Sequence, residues 1–288
     1  MLKKHVLAAA VGALSMLGAV NASAFTIVAG DFKMIIDNYD SATTGYGTDP
    51  GLKCTTIATC DAAAPQALGA IGSVNGSADT MGIFSIAAIT RISDGSAWFT
   101  RGTDGYLTGI FGNLMDYRVN VVGDPGETIT NVRAQGGTFH LFQNTAEYDP
   151  TIGPAVTANV DLNNALYDPS ISQGLLVLQG VFATGITTTF NTTYDSQSIV
   201  GGSGGYLDVT GGAWQENFDT NGVTDLNGNQ RDLLASFTFR PDAQAAANGW
   251  TVISSGDITG NAVPEPGMLA LVGLALLGAA AARRSRKA

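Results

Sequence analysis

Between Phe25 and Ala262, 20 of the 23 acidic residues are aspartate; glutamate occurs only at Glu127, Glu147 and Glu216. Aspartate, like asparagine, glycine, serine and threonine, hydrogen-bonds to nearby backbone and supports turns, whereas helices draw on glutamate, lysine and leucine. Lysine is equally scarce in this stretch, at Lys33 and Lys53 alone. Such usage cannot sustain long helices and predicts strands joined by many turns. Phe32, Met34 and Ile36 alternate with Lys33, Ile35 and Asp37, the period of a half-buried strand. Gly82–Ile92 is apolar on both faces, which predicts a central strand. Asp94-Gly95 and Asp104-Gly105, ten residues apart, read as hairpin turns because glycine accepts positive φ; they bracket a short strand at Ala97–Thr100. Tyr106–Phe111, 117–121, Ile129–Ala134, Thr138–Phe142, Leu175–Phe182, Ile186–Phe190, Tyr206–Thr210, Leu234–Arg240 and Thr251–Ser254 continue the series. Gly201-Gly202-Ser203-Gly204-Gly205 reads as a loop, Pro241–Asn248 as one or two helical turns, and the residues after Ser254 as a polar linker. About a dozen short strands with almost no helix predict an all-β body. The expected architecture is a single jelly-roll-like β-sandwich with long Gly/Asp/Asn-rich loops. Two small β domains divided near Tyr148–Asn164 are the alternative.

Both ends differ from this body. Residues 1–24 carry Lys3, Lys4 and His5, then an apolar run from Val6 to Val20, then Ala22-Ser23-Ala24. That order is a secretory signal peptide, expected to be helical, with Ala22 and Ala24 as the small residues a signal peptidase needs and cleavage before Phe25. Residues 263–288 begin with Val263, Pro264, Glu265 and Pro266, continue as an uncharged run from Gly267 to Ala282, and end on Arg283, Arg284, Arg286 and Lys287. The apolar run predicts a transmembrane-like helix, spanning roughly 22–24 Å against a hydrocarbon core of about 30 Å. The basic end favours the cytoplasmic side. The prolines hold Glu265 in an extended, exposed segment. Motif, apolar run and basic end, in that order, resemble the PEP-CTERM sorting signal of Gram-negative bacteria. The resemblance covers about the last tenth of the chain. It implies processing near Pro264-Glu265-Pro266 by a membrane-embedded exosortase, with those residues recognised rather than catalytic. It also implies export through the inner membrane, transient residence there through the tail, and a final place at the cell surface or in the extracellular matrix.

The body, residues 25–262, has eight Lys and Arg against 23 acids, a balance of −15. Such a surface repels nucleic acid and favours cations. Cys54 and Cys60 enclose five residues and, in an exported protein, predict a local disulfide, worth only about 2 kcal/mol on the chain-entropy argument. The densest polar segment offers Asp219, Asn221, Asp225, Asn227, Asn229 and Asp232 as oxygens at short intervals. Calcium takes six to eight such ligands, but the same run is ordinary Asx-turn chemistry, and the loop lacks the EF-hand's closing glutamate. Trp214 among glycines is the aromatic singled out as a carbohydrate contact. Glu147 and Glu216 are the carboxylates a hydrolase would use. His140 lies in an apolar strand, and no nucleophile elbow accompanies it. The sequence therefore predicts no catalytic residues and no obligate cofactor. It predicts an exported, non-enzymatic protein of the extracellular polysaccharide matrix. A carbohydrate-binding module, with or without calcium, and a secreted glycoside hydrolase are the alternatives.

Overall fold

The computed structural model describes residues 27–42, 53–54, 78–122, 128–152, 169–188, 191–196, 202–240, 242–248, 250 and 252–263. The signal peptide with Ala22 and Ala24, Cys60 and hence the cysteine bridge, and Pro264, Glu265 and Pro266 with the apolar run after them lie outside these residues. Among the described residues no helix is long and apolar enough to cross a membrane.

The described residues form thirteen strands in order: β1 (Gly30–Ala42), β2 (Lys53–Cys54), β3 (Ala78–Arg91), β4 (Ala97–Thr100), β5 (Tyr106–Val122), β6 (Thr128–Asn144), β7 (Leu175–Ala183), β8 (Tyr194–Ser196), β9 (Gly202–Gly211), β10 (Val223–Thr224), β11 (Gln230–Arg231), β12 (Leu233–Arg240) and β13 (Val252–Ala262). A one-turn helix, α1 (Gln215–Phe218), follows β9; α2 (Ala243–Ala247), capped by the Asp242 side chain on Ala245 N–H, follows β12. Short 3₁₀ turns occupy Pro150–Ile152 and Pro169–Ser172.

Eight strands close on themselves in the order β5-β3-β1-β13-β12-β9-β7-β6, because β6 pairs back onto β5 from Tyr106↔Asn144 to Val122↔Thr128. Every pairing around this ring is antiparallel. The expected jelly-roll sandwich is thereby corrected to a barrel: a sandwich leaves edge strands on two sheets, and here each of the eight strands has a neighbour on both sides. Segments on either side of 148–164 contribute four strands each to the one ring. Strand length makes closure feasible. The pieces read separately as Tyr106–Phe111 and 117–121 are one 17-residue β5, and Ile129–Ala134 and Thr138–Phe142 are one 17-residue β6. Where these two cross mid-barrel, Asn113 (φ 59°) lies between the paired positions Gly112↔Thr138 and Leu114↔Gly136, facing Gly137 (φ 104°). Left-handed backbone on both sides lets the ribbon bend without losing its ladder.

Several of the described glycines serve the interior. Five inward phenylalanines each lie opposite a glycine on the neighbouring strand: Phe32↔Gly260, Phe84↔Gly109, Phe111↔Gly82, Phe139↔Gly180 and Phe237↔Gly256. A methyl group at Gly180 would lie 2.6 Å from Phe139 Cε1, one at Gly256 2.6 Å from Phe237 Cδ1, and one at Gly109 would overlap the Phe84 ring. An eight-stranded barrel is just wide enough to be filled by side chains, and rings fit only where the facing residue gives up its own. Gly109→Ala is accordingly expected to cost about 1–3 kcal/mol as overpacking, read as a lowered urea midpoint with unchanged m. The same logic overturns two expectations. The glycine run at 201–205 is strand from Gly202 onward, sandwiched so closely that a Cβ at Gly205 would meet Thr193 O at 2.8 Å. The residues after Ser254 are the outer half of β13, paired to β1 as far as Gly30↔Ala262. Ile186–Phe190, expected as a strand, is irregular over 186–188.

Inside, Phe32, Met34, Ile36, Ile86, Leu114 and Leu207 belong to one buried cluster. Near its β1 end a cavity of about 50 Å³ is lined by apolar side chains and by two polar ones, Asn38 and Asp40. Asn38 Nδ2 donates to Asp40 Oδ1 at 2.7 Å, and the Ser254 hydroxyl donates to Asn38 Oδ1. Burial pushes the Asp40 carboxyl up to about 8. A second cluster, with Ile83, Ile110, Tyr148, Ile171, Trp250 and Ile253, covers the outer wall.

Candidate functional site

The outer wall carries the most elaborate polar constellation. Asp37, on the outward face of β1, lies opposite Ser85 of β3. Arg101, in the turn after β4, reaches both strands: Nη2 donates to Asp37 Oδ2 at 2.6 Å, and Nη1 to Glu147 Oε2 at 3.3 Å and Ser85 Oγ at 3.4 Å. The Ser85 hydroxyl, fully buried, donates to Glu147 Oε2 at 3.1 Å. Burial works against the Arg101 charge, yet hydrogen bonds and attraction from Asp37 and Glu147 prevail and hold its proton more firmly than usual. The segment 147–150 then crosses the wall. Trp250 Nε1 donates to Pro150 O at 2.8 Å, and Tyr39 packs edge-on to Tyr148 (6.0 Å between centroids) and tilted against Trp250 (5.7 Å). The result is an open cleft of about 350 Å³ that also includes Arg240, Ile253 and Ser254. Tyr148 is 7% exposed, and its phenol is raised by burial and then by the fields of Tyr39, Glu147 and Asp37. Its hydroxyl makes no hydrogen bond among the described residues, and the Arg240 guanidinium, exposed on the rim, makes no ion pair there.

The residues singled out in the sequence lie elsewhere. Trp214 is 4% exposed; it packs against Phe218, 6.1 Å between centroids, and Phe218 in turn meets Phe32 edge-on at 5.1 Å. A ring so placed offers no face to a sugar: Trp214 is core. The Asp219–Asp232 segment does not converge on one point. Asp225 Oδ1 accepts from the N–H groups of Asn227 (2.8 Å) and Asn229 (2.9 Å), closing the β10–β11 hairpin, and Oδ2 accepts from Arg231 Nε at 3.0 Å. Burial would raise this carboxyl, but those hydrogen bonds outweigh it and hold it below the usual range. Asp232 Oδ1 accepts from Thr220 and Asn221 N–H, and Oδ2 from Val209 N–H. Asp219, Asn221, Asn227 and Asn229 are exposed. Among the described residues no group of three His, Cys, Asp or Glu side chains could hold a metal. Glu147 is tied to Arg101 on the outer wall while Glu216 is exposed on α1, so the two are not a pair. His140, half-buried and stacked on Phe142, is lowered by burial.

Of the sorting residues the structure describes Val263. Asn217, on α1 and 2% exposed, clasps it twice: Val263 N–H donates to Asn217 O at 2.9 Å, and Asn217 Nδ2 donates to Val263 O at 3.0 Å. α1 lies at the barrel end where β9 and β13 finish, so the chain leaves a fixed point one residue before Pro264. The cleft went unpredicted because its members come from five separate segments, and only their outward alternation on β1 was visible beforehand.

Residues 262–287 match the family model of the PEP-CTERM protein-sorting motif. No curated protein and no solved structure matches the chain.

Proposed function

We propose that this chain, whose PEP-CTERM motif marks it for export and for sorting by an exosortase system, is a non-enzymatic β-barrel of the extracellular polysaccharide matrix. The observation that carries the reading is the junction at Ala262–Val263. The last barrel strand ends where the sorting motif begins, with Val263 held by Asn217, so processing beyond the prolines would leave the whole barrel intact as the delivered unit. The body's balance of −15 keeps it soluble and off nucleic acid. The outer-wall carboxylates support a binding role instead: Asp37 and Glu147 are both engaged by the one Arg101 guanidinium, at 2.6 and 3.3 Å. A signal peptide cleaved after Ala24 and transient residence at the inner membrane until processing complete the itinerary.

The test is fractionation of the producing cells with mass spectrometry of the recovered chain. The expected result is a matrix-bound species that starts at Phe25 and lacks the apolar tail, released by digestion of the polysaccharide. Glu265→Ala should retain the tail and stay with the inner membrane, lowering the matrix fraction at least several-fold. A tail-bearing chain in the matrix, or a processed one indifferent to polysaccharide digestion, would overturn the reading.

A further inference from the structure

We infer that the outer-wall cleft between β1, β13 and the 147–150 segment is a binding site for a neutral saccharide. The charges facing it cancel: Asp37 and Glu147 against Arg101 and Arg240. An anionic ligand would meet two carboxylates and a cationic one two guanidinium groups, whereas a neutral polyhydroxyl compound can use both signs, donating to the carboxylates and accepting from the cations. Arg101 consumes only part of that capacity, since an ionised carboxylate has about four lone-pair sites and Asp37 gives one to Arg101.

Two groups in the cleft await a partner. Tyr148 lines the cleft, and its hydroxyl, not sealed in the interior, makes no hydrogen bond among the described residues. Arg240 presents five donors at the rim with no carboxylate on them among the described residues. Beneath them the site is rigid: Arg101 fastens two strands and the crossing segment, and Trp250 pins Pro150. Prepaid ordering of this kind favours weakly interacting ligands such as sugars. A cleft of about 350 Å³ lies at the small end of ordinary ligand sites, which suits one ring or a short oligosaccharide rather than a long groove-bound chain.

The inference rests on the matrix reading for why a saccharide is at hand, but its test does not. The chain as exported is titrated by calorimetry and by saturation-transfer NMR with glucose, galactose, mannose, N-acetylglucosamine and their disaccharides, and with galacturonic acid as the anionic control. At least one neutral sugar should bind, galacturonic acid should bind more weakly than galactose, and Tyr148→Phe and Arg240→Ala should each weaken binding about tenfold, the loss of one good hydrogen bond. Among the described residues neither side-chain group holds the fold through a hydrogen bond or ion pair, so both variants should keep the melting temperature of the natural chain. No binding by any neutral sugar at high millimolar concentration, a preference for galacturonic acid, or sugar binding unchanged in both variants would overturn the assignment. Matrix recovery of the natural chain is scored separately: if it fails while sugars bind, the delivery reading falls and the cleft stands; if it succeeds equally for Tyr148→Phe and no sugar binds, the reverse holds.

Discussion

Asp40→Asn is expected to stabilise the barrel by several kcal/mol at pH 8.5 and to leave it nearly unchanged at pH 4. Asp40 is 6% exposed, accepts one hydrogen bond from Asn38, and shares its cavity with no charged side chain among the described residues. Burial therefore raises its carboxyl from 3.8 to about 8. Below pH 4 the group is neutral folded and unfolded, and it costs nothing. Between about pH 4 and 8 the unfolded chain has released the proton and the folded chain still holds it, so each rise in pH favours unfolding. Above pH 8 both forms are ionised and the cost is complete. At ~1.4 kcal/mol per pH unit that cost is on the order of 5 kcal/mol. Asparagine keeps the accepting oxygen and has no proton to lose. Melting curves from pH 4 to 8.5 should show the natural chain falling roughly 10–20 °C relative to the variant. Asp225 works in the opposite sense, since its lowered carboxyl contributes stability that is lost on acidification, but that limb is common to both chains and cancels in the difference. Parallel curves would show that Asp40 is hydrated or paired.

How far residue order alone leads is clearest in β1. Phe32, Met34 and Ile36 were legible as an inward row because a strand alternates with period two. That row is the same for a sandwich and for a barrel, since both bury one face; closure is a property of the last pairing, β5 with β6, which no local pattern encodes. The Phe–Gly pairs left a trace in the high glycine content, but composition does not say which glycine faces which ring. Glycines at 202–205 read as a loop because flexibility is what isolated glycines have; in the barrel, neighbouring strands and the Phe182 ring remove that freedom. Asp94-Gly95 and Asp104-Gly105 are both turns, with Gly95 at φ 73° and Gly105 at φ 91°, but of the two only the first closes a hairpin, since β4 pairs back onto β3 while β4 and β5 each pair with β3 and not with each other.

The sites divide along the same line. A sorting motif is a linear message, so Pro264-Glu265-Pro266 with its apolar run and basic end was readable from order alone. Trp214 was misjudged because its flanking glycines signal a turn but not which way the ring points, and it points into the core. The outer cleft was invisible for the converse reason: Asp37, Arg101, Glu147 and Arg240 are unremarkable singly, and their meaning is their meeting. A carboxylate whose role could have been guessed from its neighbours is Asp225, two residues before Asn227 and four before Asn229, the spacing of a side chain that closes its own turn.

Asp232 is where that turn chemistry becomes tertiary, and Asp232→Ala should be the most damaging substitution in the Asp219–Asp232 segment. The side chain is 3% exposed and accepts three backbone N–H groups, from Val209 at 2.7 Å, Thr220 at 2.8 Å and Asn221 at 2.7 Å. It thus ties β9 to the loop that leaves α1. Alanine would strand these donors, at about 1–3 kcal/mol for each that stays dry, or roughly 3–6 kcal/mol together. Asp232→Asn keeps the shape but turns an amide NH₂ toward one set of donors, so it should fall between alanine and the natural residue. Because α1 carries Asn217, the damage should spread: Val263 N–H, bonded to Asn217 O, should lose hydrogen-exchange protection in both variants while the β5–β6 ladder keeps its own. Millimolar calcium, with EDTA as control, should move none of the melting temperatures, since both Asp232 oxygens are already engaged by N–H groups and would have to abandon them to bind an ion. A cost below about 1 kcal/mol for Asp232→Ala, or a calcium-dependent rise in the melting temperature of the natural chain that Asp232→Asn abolishes, would mean that the loop is organised around a cation and not around its own backbone.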